Sequence, residues 1–192
     1  MKLYSILYCL VFPFFRLLYP LHVIGRERLP EGGCVVCANH SSNWDALFMA
    51  FALGRKAFPV FAAKIEMSRI PVLSGILRAI GVIFIDRDAN DTKAMRQMLS
   101  AVSGGSAKLI LFPEGHRVSE GEAASAKAGA IVIASHTGAP LIPVFIPREK
   151  RLFRANTVVL GEPYSIGKVR GAERELKARE LMQKIDRLRD IS

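Results

Sequence analysis

Short apolar runs alternate along this chain with longer segments in which apolar residues recur at helical spacing. The short runs are rich in β-branched residues and bounded by turn residues, which is typical of buried strands. They lie at 34–38, 57–63, 81–85, 108–112, 140–147 and 157–160. The segments between and after them predict helices at 47–53, 71–80, 94–102, 127–134 and 172–191. This alternation predicts an α/β fold with a mostly parallel central sheet flanked by helices.

The first segment, residues 1–24, is mainly aromatic and aliphatic. Its uncharged run from Leu3 to Phe15 would measure about 20 Å as a helix, which is shorter than the ~30 Å hydrocarbon core of a bilayer. We expect Pro13 and Arg16 to interrupt any longer helix. We therefore predict that 1–24 is a helical membrane anchor lying in the bilayer interface and that 25–192 is one folded domain. A tilted span and a cleaved signal peptide are the alternatives.

The composition of the chain indicates which kinds of molecule it is expected to bind. The chain has 27 Lys and Arg against 17 Asp and Glu, a net charge of +10, and 51% of its residues are hydrophobic. This combination suits an anionic membrane surface or phosphorylated substrates. Nucleic acid is the competing explanation for the charge, but zinc-ligand spacing, basic heptads and RNA-binding signatures are absent from the sequence, so we predict no nucleic-acid partner.

The three cysteines are Cys9, Cys34 and Cys37, an odd number without the spacing of a disulfide framework. They favour a reducing compartment. Cys34 and Cys37 have the C-x-x-C spacing of redox sites, yet inside a strand their thiols would point to opposite faces. Core packing is therefore the better interpretation of this pair.

The central feature of the sequence is the strand at 34–38, which leads through a polar loop into an apolar helix. His40 and Asp45 lie on either side of that loop. There, Asp45 can accept a hydrogen bond from one ring nitrogen of His40 and leave the other nitrogen free as a base. The alternative is that Asp45 or Asn43 caps the helix and His40 is an ordinary surface histidine.

Charged residues also follow three other predicted strands. Lys64 follows the second strand and Arg87 the third, and the fourth runs into the turn at 113–117. Gly115 permits a sharp turn that presents Glu114, His116 and Arg117. In a mostly parallel sheet all of these residues meet at one edge, where ligands of open α/β sheets bind. Cations beside a histidine–aspartate pair suit a site that binds phosphate and deprotonates a nearby hydroxyl.

Four blocks of this sequence resemble, in order and spacing, the motifs of the 1-acylglycerol-3-phosphate acyltransferase family of glycerolipid acyltransferases. They are Asn-His-Ser-Ser-Asn-Trp-Asp at 39–45, Gly-Val-Ile-Phe-Ile-Asp-Arg at 81–87, Phe-Pro-Glu-Gly-His-Arg at 112–117 and Leu-Ile-Pro-Val-Phe-Ile-Pro at 141–147. The first contains the family's pattern of His, four residues and Asp. The resemblance covers roughly Val23 to Gly161 and implies the glycerol-phosphate acyltransferase fold.

The resemblance also implies a reaction and its participants. A fatty acyl group would pass from acyl-CoA or acyl-carrier protein to the free hydroxyl of lysophosphatidic acid, giving phosphatidic acid. His40 would act as general base, oriented by Asp45, without a metal or another cofactor. The phosphate of the acceptor would be held by Arg87, Glu114, Gly115 and Arg117, with help from Lys64. The protein would lie on the cytoplasmic face of the cell membrane, and its oligomeric state is not indicated.

Two residues depart from the family's third motif. His116 stands where Thr or Ser is usual, and Val118 stands where Ser is common. These departures concern the acceptor, so another lysophospholipid or glycerolipid is an alternative to lysophosphatidic acid. An inactive membrane-surface protein of the same fold is a further alternative. A metallohydrolase with His40, Asp45, Glu114 and His116 as ligands is disfavoured because Arg87 and Arg117 would repel the cation.

Overall fold

The structure, a computed structural model, describes residues 2–86, 89, 91–115 and 126–192. Within these ranges seven strands form one sheet: β1 (Leu21–Ile24), β2 (Cys34–Ala38), β3 (Pro59–Lys64), β4 (Ile83–Ile85), β5 (Lys108–Leu111), β6 (Leu141–Phe145) and β7 (Asn156–Leu160). Six α-helices accompany them there: α1 (Lys2–Leu18), α2 (Asp45–Leu53), α3 (Leu73–Ala79), α4 (Thr92–Ser103), α5 (Gly129–Thr137) and α6 (Glu173–Arg187). Short 3₁₀ helices lie at Arg26–Arg28, Ile65–Arg69 and Leu188–Ile191.

The sheet has the strand order β1-β7-β6-β2-β5-β3-β4. Strand β2 lies near the middle and pairs in parallel with both β5 and β6. Strands β5, β3 and β4 continue the parallel arrangement, whereas β7 is antiparallel to β6 and β1 is parallel to β7. The prediction of a mostly parallel α/β sheet is confirmed. Five neighbouring strands therefore end at the same edge, and the polar residues that follow them can meet there.

Both faces of the sheet are covered, which is why β2 is apolar throughout its length. Successive residues of β2 point to opposite faces of the sheet and pack in two separate hydrophobic cores. Cys34 and Val36 pack in a core with α2 and Phe15 of α1, whereas Val35 and Cys37 pack in a core with α4, α5 and α6. The two thiols thus point to opposite faces and are fully buried, as the sequence predicted.

Helix α1 is longer than the sequence predicted, because neither Pro13 nor Arg16 interrupts it. It continues through Pro13 to Leu18 without interruption at Arg16. Proline costs this helix one backbone hydrogen bond, and aromatic packing of its inner face against α2, including contacts of 5.0 Å between ring centroids for Phe12–Phe51 and Phe15–Phe48, offsets that cost.

The predicted anchor segment 1–24 also contains more than a helix. Residues Leu21–Ile24 form β1, an edge strand in register with Asn156–Val159 of β7. They therefore belong to the sheet, and only the part before them is a separate helix. That helix exposes an apolar stripe on its outer face, formed by Leu3, Ile6, Leu10, Phe14, Leu17 and Leu18. None of the described helices combines the length and the apolar character needed to cross a bilayer.

Candidate active site

His40 and Asp45 are in contact in the loop that joins β2 to α2. The Nδ1 atom of His40 lies 2.8 Å from Oδ2 of Asp45. The same carboxylate oxygen accepts hydrogen bonds from the backbone N–H groups of Ser41, at 2.7 Å, and Ser42, at 2.8 Å. The carboxylate of Asp45 therefore holds the backbone of the loop in place and also orients the imidazole of His40.

The tautomer of His40 follows from this contact. An ionised carboxylate can only accept, so Nδ1 carries the hydrogen and Nε2 has its lone pair available. The ring also stacks on Phe112, with the ring centroids 4.2 Å apart and the planes inclined by 19°. The His40 side chain is 16% exposed, so an acceptor that reaches this edge of the sheet can contact it.

Asp45 is completely buried and nevertheless held as a carboxylate. Burial by itself would raise its pKa, but the hydrogen bond with His40 and the positive charge of Lys150 outweigh burial, and the pKa lies below its ordinary value. The ammonium of Lys150 forms an ion pair with Oδ1, the carboxylate oxygen that His40 does not use. Asp45 is thus ionised, with its hydrogen bonds on Oδ2 and its ion pair on Oδ1.

Lys150 and Arg148 also belong to the site, although their sequence pattern did not predict it. Both lie in the loop after β6, more than 100 positions from His40 in the chain. Lys150 donates to Oγ of Ser41 at 2.6 Å, and a guanidinium nitrogen of Arg148 lies 3.5 Å from Oε1 of Glu114. A charged stretch after a strand is usually solvated, so the sequence of the loop after β6 did not predict that these two residues belong to the site.

Glu114 contacts the backbone of the loop that carries His40. Its Oε2 accepts a hydrogen bond from the backbone N–H of His40 at 2.6 Å, and the side chain is fully buried. Burial raises the pKa of Glu114, while the His40 amide and the charges of Arg148 and His40 oppose that rise. In this structure Glu114 therefore braces the backbone of His40.

The predicted turn at Gly115 is present. Its φ of 71° lies in the left-handed region, and a Cβ atom there would lie 2.7 Å from the side chain of Lys127. The N–H of Gly115 closes the turn by donating to the carbonyl of Phe112 at 3.0 Å. A residue other than glycine would strain the turn and displace Lys127.

Asn39 holds the ends of β2 and β6 together and was not singled out from the sequence as having this role. Its amide nitrogen donates to the carbonyl of Ile146, and its amide oxygen accepts from the N–H of Ile146, both at 2.8 Å. The side chain is fully buried. This reciprocal pair fixes the loop that carries Lys150 relative to the loop that carries His40.

The remaining predicted site residues are less closely tied to His40. Lys64 is the last residue of β3, on the same edge of the sheet, and its half-exposed ammonium lies 2.8 Å from the carboxylate of Glu66. Arg87 and Arg117 lie outside the described residues, as do His116 and Val118. Their predicted part in binding phosphate or selecting the acceptor therefore stays a prediction.

For the metal-site alternative, the described ranges contain no group of three or more His, Cys, Asp and Glu side chains placed to hold a metal ion. One of its four proposed ligands, His116, lies outside those ranges. Within them, Asp45 contacts His40 and Lys150, and Glu114 contacts the His40 backbone and Arg148.

An apolar cleft of about 490 Å³ opens beside the pair. It lies between the carboxyl ends of β3, β4 and β5 and the helices α4 and α5. Its wall includes Phe112, on which the His40 ring stacks, and is mostly apolar, with Ile85, Met95, Met98, Leu111 and Ile133. Charged groups are also present in the wall, on Asp86, Asp91, Arg96 and Lys127. Such a cleft can hold an alkyl chain, and Phe112 connects it to the imidazole of His40.

Several known proteins are similar to this chain in sequence or in structure. The 1-acyl-sn-glycerophosphate acyltransferase PlsC of Thermotoga maritima has a crystal structure similar to this one, with a TM-score of 0.70 and 26% sequence identity over 98% of this chain and 79% of that one. Among curated proteins, a probable 1-acyl-sn-glycerol-3-phosphate acyltransferase of Mycoplasma pneumoniae is 33% identical over 65% of this chain and 48% of its own length. The 1-acyl-sn-glycerol-3-phosphate acyltransferase of Borreliella burgdorferi is 31% identical over 71% of this chain and 54% of its own.

The matched region spans about half the length of these two curated relatives. A model of the family described as "Acyltransferase" matches residues 20–147. That range contains β2 and β5 with the loops that carry His40, Asp45 and Glu114. Since the match covers more than half of the chain, this protein belongs to the acyltransferase family.

Proposed function

We propose that this protein is a 1-acylglycerol-3-phosphate O-acyltransferase of phospholipid synthesis. It transfers a fatty acyl group from acyl-CoA or acyl-carrier protein to the free hydroxyl of lysophosphatidic acid and forms phosphatidic acid. The observation that carries the proposal is the contact between Nδ1 of His40 and the buried carboxylate of Asp45, which leaves Nε2 available as a base. The names of the similar proteins support the choice of acceptor.

In the proposed reaction, Nε2 of His40 accepts the proton of the acceptor hydroxyl while the hydroxyl oxygen attacks the thioester carbonyl. The tetrahedral intermediate then collapses, the carbon–sulfur bond breaks, and the imidazolium returns its proton to the thiolate. Asp45 stabilises the imidazolium between these steps. General-base catalysis of this kind contributes about 10²- to 10⁴-fold to the rate. The step requires neither a covalent acyl-enzyme nor a metal or other cofactor.

The phosphate of the acceptor is proposed to bind beside His40, at the edge where the parallel strands end. Arg87 and Arg117 are the proposed guanidinium partners, on the strength of the motif resemblance. Glu114 and Gly115 support this assignment because they form the turn that contacts the His40 backbone. Lys64 ends a strand at the same edge and adds a cation there.

The acyl chain of one substrate is proposed to occupy the apolar cleft beside the imidazole. The cleft shares Phe112 with the His40 ring stack and has a volume of about 490 Å³. Burying a chain there gains roughly 0.8 kcal/mol for each methylene removed from water. This gain favours a long-chain acyl group over a short one.

The enzyme is proposed to work as a peripheral or monotopic protein on the cytoplasmic face of the cell membrane. Exposed apolar side chains support this because they cluster near the site: Trp44 precedes Asp45, and Leu152 and Phe153 follow the loop of Lys150. The end of α1 joins them, since Tyr19 contacts Trp44 with ring centroids 5.5 Å apart and the carbonyl of Leu18 accepts from the N–H of Phe153. Lipid is the partner that such a surface suits.

A second candidate differs only in the acceptor. His116 replaces the Thr or Ser usual in the family's third motif, and an imidazole at that position would either donate to the phosphate or change the shape of the acceptor pocket. Transfer to another lysophospholipid or glycerolipid is therefore the alternative function.

The test is an assay of the purified protein in phospholipid vesicles, with acyl-CoA or acyl-carrier protein as donor. The acceptors to compare are lysophosphatidic acid, lysophosphatidylcholine and glycerol 3-phosphate, with free thiol and lipid product both measured. We expect one thiol released for each phosphatidic acid formed, and lysophosphatidic acid as the preferred acceptor. Preference for another acceptor would support the second candidate, and absence of transfer to all three would contradict the proposal.

A further inference from the structure

Lys150 occupies an unusual place for a lysine. Its side chain is only 6% exposed, and its ammonium contacts three groups of the site: Oδ1 of Asp45, Oγ of Ser41 at 2.6 Å and the carbonyl of Arg148 at 3.3 Å. Burying an ammonium ion is costly unless it is paired and hydrogen-bonded, and here it is ion-paired with Asp45 and donates to Ser41 and to the Arg148 carbonyl. The loop after β6 thus brings a positive charge to the carboxylate that orients His40.

We propose that Lys150 is a positioning residue of the reaction, which acts through Asp45 by fixing its carboxylate and limiting how strongly the Asp45–His40 pair holds a proton. The proposal rests on the general-base function proposed above for His40. It assigns to the loop after β6 a role in the chemistry that the four motif blocks do not include.

The division of the two carboxylate oxygens gives the geometric part of the argument. Oδ2 receives His40 Nδ1 and the amides of Ser41 and Ser42, and Oδ1 receives Lys150. Without the ammonium, Oδ1 would be a buried acceptor that lacks its positive partner. Rotation of the carboxylate towards another donor would then misalign the bond to His40.

The charges around the His40–Asp45 pair give an electrostatic reason for the same role of Lys150. Among the described residues, the charged groups facing it are Asp45 on α2, Glu114 after β5, and Arg148 and Lys150 after β6. Arg148 is paired with Glu114, and Lys150 is paired with Asp45. Removing Lys150 alone would leave the carboxylate charge uncompensated, which favours the imidazolium and makes His40 a poorer acceptor of a proton at neutral pH.

The protonation of both partners fits this arrangement. Burial lowers the pKa of Lys150, and the carboxylate of Asp45 opposes that shift, while the pKa of Asp45 is held below its ordinary value. The interaction between the two side chains thus favours the charged form of each.

The experiment compares the pH dependence of kcat/KM for the parent, Lys150→Met and Lys150→Arg in phospholipid vesicles. For K150M we expect kcat to fall about tenfold or more and KM for the acceptor to change little. The acidic limb of the pH profile of kcat/KM should move about one pH unit upward. K150R keeps the charge, so its acidic limb should stay with that of the parent. Lys177→Met is the matched control because Lys177 pairs with Glu180 on α6, and it should behave as the parent does.

A second readout does not depend on activity. The pH midpoint of the His40 ring signals, identified by NMR from their loss in His40→Ala, should move to higher pH in K150M and in Lys150→Gln but not in K150R. An unchanged midpoint in a folded K150M or K150Q protein would overturn the proposal, and so would equal shifts in K150R and K150M. A parent protein that transfers no acyl group would contradict the proposed function while this titration still decides the role of Lys150.

Discussion

At the scale of single residues, the site depends on one buried carboxylate. Asp45 is reached by the His40 ring, two backbone amides and the Lys150 ammonium. It connects His40, the proposed general base, to the backbone of the loop and to the ammonium of Lys150. Its removal should therefore affect stability and catalysis together.

We expect Asp45→Asn to reduce the free energy of unfolding at pH 7 by about 3–5 kcal/mol, because Lys150 would remain buried without its counter-charge. The loss should be measurable by urea denaturation in detergent micelles. Lys177→Met, which breaks a surface ion pair on α6, is the control and should cost less than about 1 kcal/mol.

The pH dependence of that loss has a definite sign. The pKa of Lys150 is already lowered by burial, and loss of Asp45 removes the partner that opposes the shift. The unfolded D45N chain would then bind the lysine proton more tightly than the folded one, so folded D45N should gain stability as pH rises towards the ordinary lysine value of about 10.4. The deficit should be smaller at pH 9.5 than at pH 7, and equal deficits would contradict the buried ion pair.

The sequence could predict residues that follow parallel strands, such as Glu114, and contacts between residues that are close together in the chain. His40 and Asp45 are five positions apart, so their contact follows from a strand, a loop and a helix in succession. Lys150 and Arg148 reach the site only because β6 lies next to β2 and Asn39 joins the two strand ends. That neighbourhood is set by the packing of the whole sheet, which local pattern does not specify.

At the scale of elements, apolar periodicity predicted most strands and helices, because each is buried on a regular face. It did not separate α1 from β1: both are apolar, and their boundary at 19–20 follows from the pairing of Leu21–Ile24 with β7. It also did not show that β7 runs antiparallel to β6, since a strand buried on both faces has the same pattern in either direction.

The loop after β6 also presents apolar side chains outwards. Leu152 is 54% exposed and Phe153 is 69% exposed, and Phe153 has a φ of 56°, which is unfavourable for a residue with a side chain. A backbone held in a strained conformation so that an aromatic ring faces outwards is consistent with an insertion element for lipid.

We expect the double substitution Leu152→Ser and Phe153→Ser to weaken binding to anionic phospholipid vesicles, because it removes apolar area that would be buried in lipid. Loss of each large side chain should cost about 1.5–3 kcal/mol of partitioning energy at full burial. Vesicle sedimentation measures the effect. Leu176→Ser is the control, since Leu176 is exposed on α6, and it should bind as the parent does. Equal binding of the double variant would contradict insertion of this loop.

At the scale of the whole molecule, the sheet brings together residues that lie far apart in the sequence. The residues after β2, β5 and β6 meet around His40, and α1 ends beside the same edge. Apolar side chains beside these charged groups suit the proposed acceptor, whose phosphate would reach the site while its chain stays in an apolar environment. The net charge of +10 adds attraction to an anionic surface.

The most direct test of the account compares acyl transfer by the parent with that of His40→Ala and His136→Ala. His136 is the matched control because it is a surface residue on α5 whose ring nitrogen contacts the carbonyl of Val132. With acyl-CoA and lysophosphatidic acid in vesicles, we expect H136A to keep the parent rate and H40A to fall below about a hundredth of it, with membrane binding unchanged in both. An H40A rate above that level would contradict the role of His40 as the general base.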